Sequence, residues 1–194
     1  MILFFDTETT GMPDFKKQAQ DPSQPHICQL GAVLCNNDRR VVAEINVLVR
    51  PDGWEISAET TAIHGISQES AMRYGLKLET AAKLFLALAD RAELLVAHNY
   101  DFDEKMMRRS FHHLNLPNVA EGLRTRASFC TMKSSTNILK LPGKYGFKWP
   151  NLQEAHTHFI GRPFEGAHDA MADVRACRDV YYAMNPLPAP PVSS

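Results

Sequence analysis

Two acidic residues stand at the end of an apolar segment near the start of the sequence. Residues 1–6 read Met-Ile-Leu-Phe-Phe-Asp, and Glu8 follows two positions after Asp6. Because alternate side chains of an extended strand share a face, Asp6 and Glu8 should project together. Neighbouring carboxylates repel each other unless a cation compensates, and their oxygen atoms favour Mg²⁺ or Mn²⁺ over zinc. The pair therefore indicates either a metal site or, for this segment alone, a strand end with two solvated acids.

A second polar cluster, residues 98–103, follows an apolar segment at 94–97 and opens a helical pattern. Ligands of α/β sheets commonly bind at the carboxyl ends of strands, so this cluster is a candidate site. Asp101 or Asp103 is equally suited to capping the helix. The cluster alone leaves both interpretations open.

The third cluster, residues 168–173, lies at the start of the last helical pattern. His168 and Asp173 are five residues apart, which is about 140° around an ideal helix, so they do not face one site from within a regular helix. We therefore predict that His168 precedes the first turn, that Asp169 caps the helix and that Asp173 lies inside it. The alternative is a capped helix with a surface histidine.

The pattern of apolar residues predicts the elements that would position these clusters. Strands are expected at 1–6, 27–35, 41–49, 94–97 and 126–131, and the first three suggest an antiparallel meander. Helices are expected at 80–91, 103–114, 152–160 and 169–184. This order predicts a mixed α/β sheet covered by helices, in one domain at 1–184 with a Pro-rich tail at 185–194.

The composition excludes several classes of protein. The 194 residues carry 21 Lys and Arg against 22 Asp and Glu, so a net charge of −1 excludes a basic field over the whole protein. No apolar run approaches the roughly 18 residues of a membrane span, and the first residues lack a secretory pattern. The four cysteines form no C-x-x-C pair. We therefore expect a cytoplasmic protein without a membrane partner.

Together the three clusters resemble, in order and spacing, the three motifs of the DEDDh (DnaQ-like) exonucleases. This family includes the proofreading subunit of bacterial DNA polymerase III, the TREX exonucleases and oligoribonuclease. The resemblance covers residues 1–183, and three motifs in order are far more specific than any one of them. It implies a ribonuclease-H-like fold with a mixed five-stranded sheet, and 3′→5′ hydrolysis of nucleic acid.

The resemblance assigns the family's catalytic residues to Asp6, Glu8, Asp103, His168 and Asp173. Phosphodiester hydrolysis needs an activated water and stabilised charge on two oxygens, which two metal ions about 4 Å apart provide. We expect two Mg²⁺ or Mn²⁺ ions, with Asp6 bridging them. Glu8 and Asp173 are expected to hold the ion that carries the water, and Asp103 the other. His168 is expected to act as the general base.

A basic and aromatic segment is the candidate surface for nucleic acid. No acidic residue occurs between Glu121 and Glu154, whereas six cations and several aromatic residues do. Cations neutralise phosphates and aromatic faces stack unpaired bases, so we expect Lys144 and Lys148 to guide the strand. The alternative is a solvated basic loop whose aromatic residues, Trp149 in particular, are buried in the core.

Residues 61–67 resemble the family segment that packs against the terminal nucleotide. The resemblance implies that Ile63 wedges against the last base and that His64 lies near the sugar, whereas an ordinary amphipathic turn is the alternative. Further contacts with the 3′ end are expected from Thr7, Thr9 and Asn99.

The leading expectation is an exonuclease that prefers single-stranded DNA or frayed 3′ ends. An exoribonuclease of the oligoribonuclease kind is the alternative within the enzyme class, because discrimination of the 2′-hydroxyl depends on pocket geometry. A non-catalytic polymerase accessory that binds 3′ ends is the alternative from another class. Members of the family are often dimers, so a homodimer is one expectation for assembly.

Overall fold

A five-stranded mixed sheet forms the centre of the computed structural model, which describes residues 1–186. The strands are β1 (Ile2–Thr9), β2 (Ile27–Cys35), β3 (Val41–Leu48), β4 (Leu94–Ala97) and β5 (Ser128–Cys130). Their order is β3-β2-β1-β4-β5, in which β1, β2 and β3 pair antiparallel while β4 runs parallel to β1 and β5. The predicted meander and five-stranded mixed sheet are confirmed.

Eight helices and a small hairpin complete the fold of residues 1–186. The helices are α1 (Ala58–His64), α2 (Gln68–Tyr74), α3 (Leu78–Ala89), α4 (Tyr100–His113), α5 (Pro117–Arg124), α6 (Thr131–Leu139), α7 (Leu152–Ile160) and α8 (Ala170–Met184). The hairpin pairs β6 (Pro142–Gly143) with β7 (Gly146–Phe147). Every helix in this part of the chain is too short or too polar to cross a bilayer. Of the predicted Pro-rich tail at 185–194, only Asn185 and Pro186 are among the described residues.

The sheet has apolar side chains on both faces because helices cover both. Leu3 and Phe5 of β1 point into a core shared with α3 and α4, where Phe5 packs 5.1 Å from Phe85 between ring centroids. Phe4 points to the opposite face, into a core shared with Val174 of α8. Strands buried on both sides read as continuous apolar runs, which is why β1 and β2 were recognisable in the sequence.

The start of α8 rests directly on the sheet beside Asp6. Gly31 of β2 is paired with Asp6 of β1, and a Cβ added at Gly31 would lie 2.7 Å from the carbonyl carbon and oxygen of Ala170. Gln29 fixes the same helix start, since its side chain donates to Asp169 at 2.9 Å and accepts from the Ala170 amide at 3.2 Å. The absent side chain at Gly31 therefore sets how closely α8 approaches β1.

Replacing Gly31 by alanine should destabilise the fold, because the methyl group would overlap the backbone of α8. Overpacking of this kind costs about 1–3 kcal/mol. Gly122→Ala is the matched control: no atom lies within 4 Å of a Cβ added there in α5, so the helix should gain about 0.5–1 kcal/mol. Urea unfolding followed by circular dichroism measures both free energies. Wild-type stability of the Gly31→Ala protein would contradict the close contact.

Candidate active site

The carboxyl end of β1 carries the first two acids. β1 continues to Thr9 rather than ending at Asp6, so Glu8 is held by pairing with Gln29 of β2. Asp6 and Glu8 both line a cleft of about 350 Å³ at this end of the sheet, as expected for alternate residues of one strand. The central strand therefore presents both carboxylates to one cavity.

Asp103 reaches the same end of the sheet from α4. This helix begins at Tyr100, three residues earlier than predicted, after Asn99 adopts a left-handed backbone with φ of 70°. Asp103 is 2% exposed, and its Oδ1 accepts from the amide of Thr7 at 2.9 Å and from its hydroxyl at 2.8 Å. Both Thr7 donors are thus engaged by Asp103, so Thr7 positions this acid, whereas the sequence predicted that its amide contacts the 3′ end of the substrate.

His168 precedes α8 and Asp173 lies in the first turn of this helix, as predicted. Asp169 caps the helix by accepting from the Ala172 amide at 3.0 Å, and Asp173 lies inside the first turn. His168 precedes the helix with φ of 69°, and its amide donates to Asp173 Oδ2 at 3.3 Å. Because the non-helical cap residue Asp169 lies between them, His168 and Asp173 reach the same side of the helix start. Two residues five positions apart within a regular helix would not do so.

Negative charge is concentrated in the cleft. Burial and then the charges of Asp103 and Asp173 raise the pKa of Asp6 well above its usual value. Burial likewise raises the pKa of Asp103, against the hydrogen bonds from Thr7. The pKa of Glu8 rises to about 7 through burial and Asp173, and burial raises that of Asp173 to about 6.

In the part of the chain that the structure describes, no Lys or Arg side chain pairs with these acids. The ion pairs formed within residues 1–186 include none with Asp6, Glu8, Asp103 or Asp173. Ligand atoms of Glu8, His168 and Asp173 lie within 4.8 Å of one another. Two carboxylate oxygens and an imidazole nitrogen at this separation form a donor set that fits a divalent cation.

Side chains from two other regions form the rest of the cleft. Ile63 and His64 line it from α1, and Asn99 lines it from the turn before α4, as the sequence predicted. Thr9 also lines it, and its hydroxyl donates to the carbonyl of Gly11 at 2.8 Å. Sequence reasoning missed Met12, Thr60 and Phe102 in the lining. For Met12, the signal was a large apolar residue directly after the first motif.

His98 fixes the edge of the cleft without being a candidate ligand. Its Nε2 donates to the Pro150 carbonyl at 3.0 Å, and its Nδ1 accepts from the Thr131 hydroxyl at 2.9 Å. A carbonyl only accepts, so Nε2 carries a proton, and in the neutral ring Nδ1 is then the acceptor. Burial lowers the pKa of His98 to about 4, which favours the same form. His98 therefore joins the end of β4 to α6 and to Pro150, two residues before α7.

The two predicted guiding lysines lie outside the cleft lining. Lys148 pairs with Glu154 at 2.5 Å, whereas Lys144 lies 5.1 Å from the centroid of the Tyr145 ring. Asp101, which the resemblance left out of the catalytic set, is exposed and pairs with Lys133. Lys144 thus lies in the turn between β6 and β7, and Lys148 lies just after β7, and neither lines the cleft that contains the acids.

Comparison with protein families identifies the chain's relatives. Residues 3–181 match the RNase_T family model, whose description is "Exonuclease". The chain belongs to this exonuclease family. It is 32% identical over 177 residues to "Uncharacterized exonuclease CP81" of Escherichia phage 186, which covers 89% of this chain and 82% of that protein. It is 31% identical to "DNA polymerase III subunit epsilon-like protein" of Rhodobacter capsulatus, of which it covers 24%.

Solved structures with the same fold include several of E. coli Exonuclease I. The complex with a dT13 oligonucleotide matches with a TM-score of 0.73 at 19% identity, over 93% of this chain. A zinc-bound complex with single-stranded DNA matches with a TM-score of 0.73 at 21% identity, over 95% of this chain. The chain spans only about 40% of Exonuclease I. The ribonuclease-H-like fold expected from the sequence is thereby confirmed.

Asp6→Asn should make the metal-free protein more stable, because it removes one charge from the uncompensated cluster. We expect the free energy of unfolding in EDTA at neutral pH to rise, because a carboxyl whose pKa is raised in the folded state costs stability at pH values above its unfolded pKa. The same substitution should abolish the rise in melting temperature that Mg²⁺ or Mn²⁺ gives the wild-type protein. Asp101→Asn, which alters an exposed and paired acid, is the control and should change neither quantity in this way. Lower stability of Asp6→Asn in EDTA would contradict the uncompensated charge.

Proposed function

We propose that the protein is a metal-dependent 3′→5′ exonuclease that removes nucleoside 5′-monophosphates from DNA. Single-stranded or frayed 3′ ends are its preferred substrates. The observation that carries the proposal is the convergence of three acids, Asp6, Glu8 and Asp173, beside His168 in the lining of one cleft, with Asp103 buried behind Thr7. Within residues 1–186 these acids form no ion pair with a Lys or Arg side chain. Membership of the exonuclease family supports the same chemistry.

The four carboxylates are the proposed metal ligands. Two Mg²⁺ or Mn²⁺ ions would there polarise the attacking water and stabilise charge on the attacking and leaving oxygens. Asp6 is proposed as the shared ligand because it lines the cleft from the central strand, close enough to Asp103, Asp173 and Glu8 for their charges to raise its pKa. The donors of Thr7 keep the Asp103 carboxylate in a fixed orientation. The zinc-bound structure of Exonuclease I supports a metal site in this fold.

His168 is the proposed general base. It is exposed, lies ahead of α8 and has a ring nitrogen within 4.8 Å of ligand oxygens of Glu8 and Asp173. A histidine side chain is able to take a proton near neutral pH, and no hydrogen bond to the His168 ring is formed within residues 1–186. The base can therefore accept the proton of a water held between it and the acids.

The walls of the cleft suit the end of an unpaired strand. Ile63 is 57% exposed on α1 and Met12 is 75% exposed after β1, although both are large and apolar. We assign these side chains to contact with the faces of the terminal base, while His64 and Asn99 contact the sugar and phosphate. The complexes of Exonuclease I with dT13 and dA16 oligonucleotides support single-stranded DNA as the substrate.

Digestion of end-labelled oligonucleotides tests the direction and the substrate. With Mg²⁺ or Mn²⁺, single-stranded DNA labelled at its 5′ end should shorten one nucleotide at a time, and EDTA or Asp6→Ala should stop the reaction. A 3′-phosphorothioate linkage should slow the first step, whereas the same linkage at the 5′ end should not. Faster digestion of RNA of the same sequence would favour the exoribonuclease instead. Retained binding without any nucleotide release would favour the non-catalytic accessory.

His168→Ala should lower kcat about 10²- to 10⁴-fold, the usual contribution of a general base, with little change in KM. Single-turnover and steady-state rates on a short single-stranded DNA measure both constants. His158→Ala is the control, because this exposed histidine of α7 lies outside the cleft. Equal losses in kcat and in affinity would contradict the role of a base and indicate a binding residue.

A further inference from the structure

The hairpin at residues 142–149, which we call the aromatic hairpin, exposes three large rings within five residues. Tyr145 is 91% exposed, Phe147 51% and Trp149 63%. The alternative in which these rings are buried in the core is therefore wrong. Three exposed aromatic rings so close in the sequence are a candidate binding surface, because exposing apolar area to water is unfavourable.

Positive charge accompanies these rings. The lysine Nζ of Lys144 lies over the ring of Tyr145, at 5.1 Å from its centroid. Lys133 and Lys148 are paired with Asp101 and Glu154, whereas no ion pair within residues 1–186 involves Lys140 or Lys144. Flat apolar faces beside uncompensated cations match an unpaired nucleic acid strand, which offers base faces and phosphates together.

The aromatic hairpin is attached firmly beside the cleft. Its base is closed by the Lys148 amide, which donates to the Leu141 carbonyl at 3.0 Å. Gly143 lets its two strands approach, because a Cβ there would lie 2.9 Å from the Lys148 nitrogen. Trp149 precedes Pro150, whose carbonyl accepts from His98 in the cleft lining. The base of the aromatic hairpin is therefore fixed, and Trp149 lies one residue from a contact with the cleft lining.

We propose that the aromatic hairpin is a second contact site for the substrate, on which unpaired bases preceding the 3′ terminus stack while Lys144 contacts their phosphates. This inference rests on the proposed function and extends it to the choice of strand. A duplex hides the faces of its bases, so the site selects single strands long enough to span from the cleft to the hairpin. A short substrate contacts only the cleft and does not reach the aromatic hairpin.

Binding of fluorescein-labelled dT15 in EDTA measures the hairpin without hydrolysis. Tyr145→Ala and Trp149→Ala should each weaken binding about five- to tenfold, the lower part of the range for loss of a stacked base. Tyr74→Ala is the matched control, since Tyr74 is 66% exposed on α2, and it should bind like the wild type. Trp149→Phe keeps a stacking ring and should restore most of the affinity. Lys144→Ala should reduce the slope of log affinity against log salt by about one.

Activity on two substrates completes the test. The hairpin variants should lose activity on a 20-nucleotide single strand through a higher KM, yet hydrolyse thymidine 5′-monophosphate p-nitrophenyl ester within twofold of the wild type. Unchanged dT15 affinity in both alanine variants would overturn the inference, even in an active exonuclease, and would leave a protein partner as the occupant. Hairpin-dependent binding of dT15 by a protein without nuclease activity would instead overturn the proposed function alone.

Discussion

Mutual repulsion among four carboxylates is the constraint on which the rest of the structure depends. Asp6, Glu8, Asp103 and Asp173 meet at the carboxyl end of the central strand, and their raised pKa values record both burial and repulsion. Nothing cationic within the described part of the chain offsets that charge. The fold holds the acids together at a cost in stability, as expected where a site is built to receive a cation.

The contacts that oppose this repulsion come from neutral groups. Thr7 fixes Asp103 through two hydrogen bonds, and Gln29 fixes the start of α8 through two more. The missing side chain of Gly31 lets that helix lie against the strand beside Asp6. Strands and helices thus hold the acids, whereas His168, the proposed base, lies ahead of α8.

Much of the fold was predictable because its long elements have clear apolar patterns. β2, β4 and α7 were predicted with their observed bounds, and α8 with its cap at Asp169. The helices α1, α2, α5 and α6, of seven to nine residues, were missed. α1 has no buried residue, so no apolar stripe marks it.

The candidate site was predicted more completely than the surface that serves it. The order and spacing of the three motifs identified the five catalytic candidates. Strand alternation relates Asp6 to Glu8, and the helix cap relates His168 to Asp173. The role of Thr7 depends on a hydrogen bond across 96 positions, and the exposure of Trp149 depends on the hairpin; neither is encoded in local pattern. Interleaved lysines and aromatic residues signalled the hairpin but not which lysines are paired.

Counting bound Mn²⁺ ions by electron paramagnetic resonance tests the central claim most directly. Titration of the metal-free protein in the presence of a nucleoside 5′-monophosphate should show two ions per chain with a spectrum broadened by coupling between them. Glu8→Gln should leave one uncoupled ion at most. A single uncoupled ion in the wild type, or no binding at all, would contradict a cluster of carboxylates built around a pair of cations.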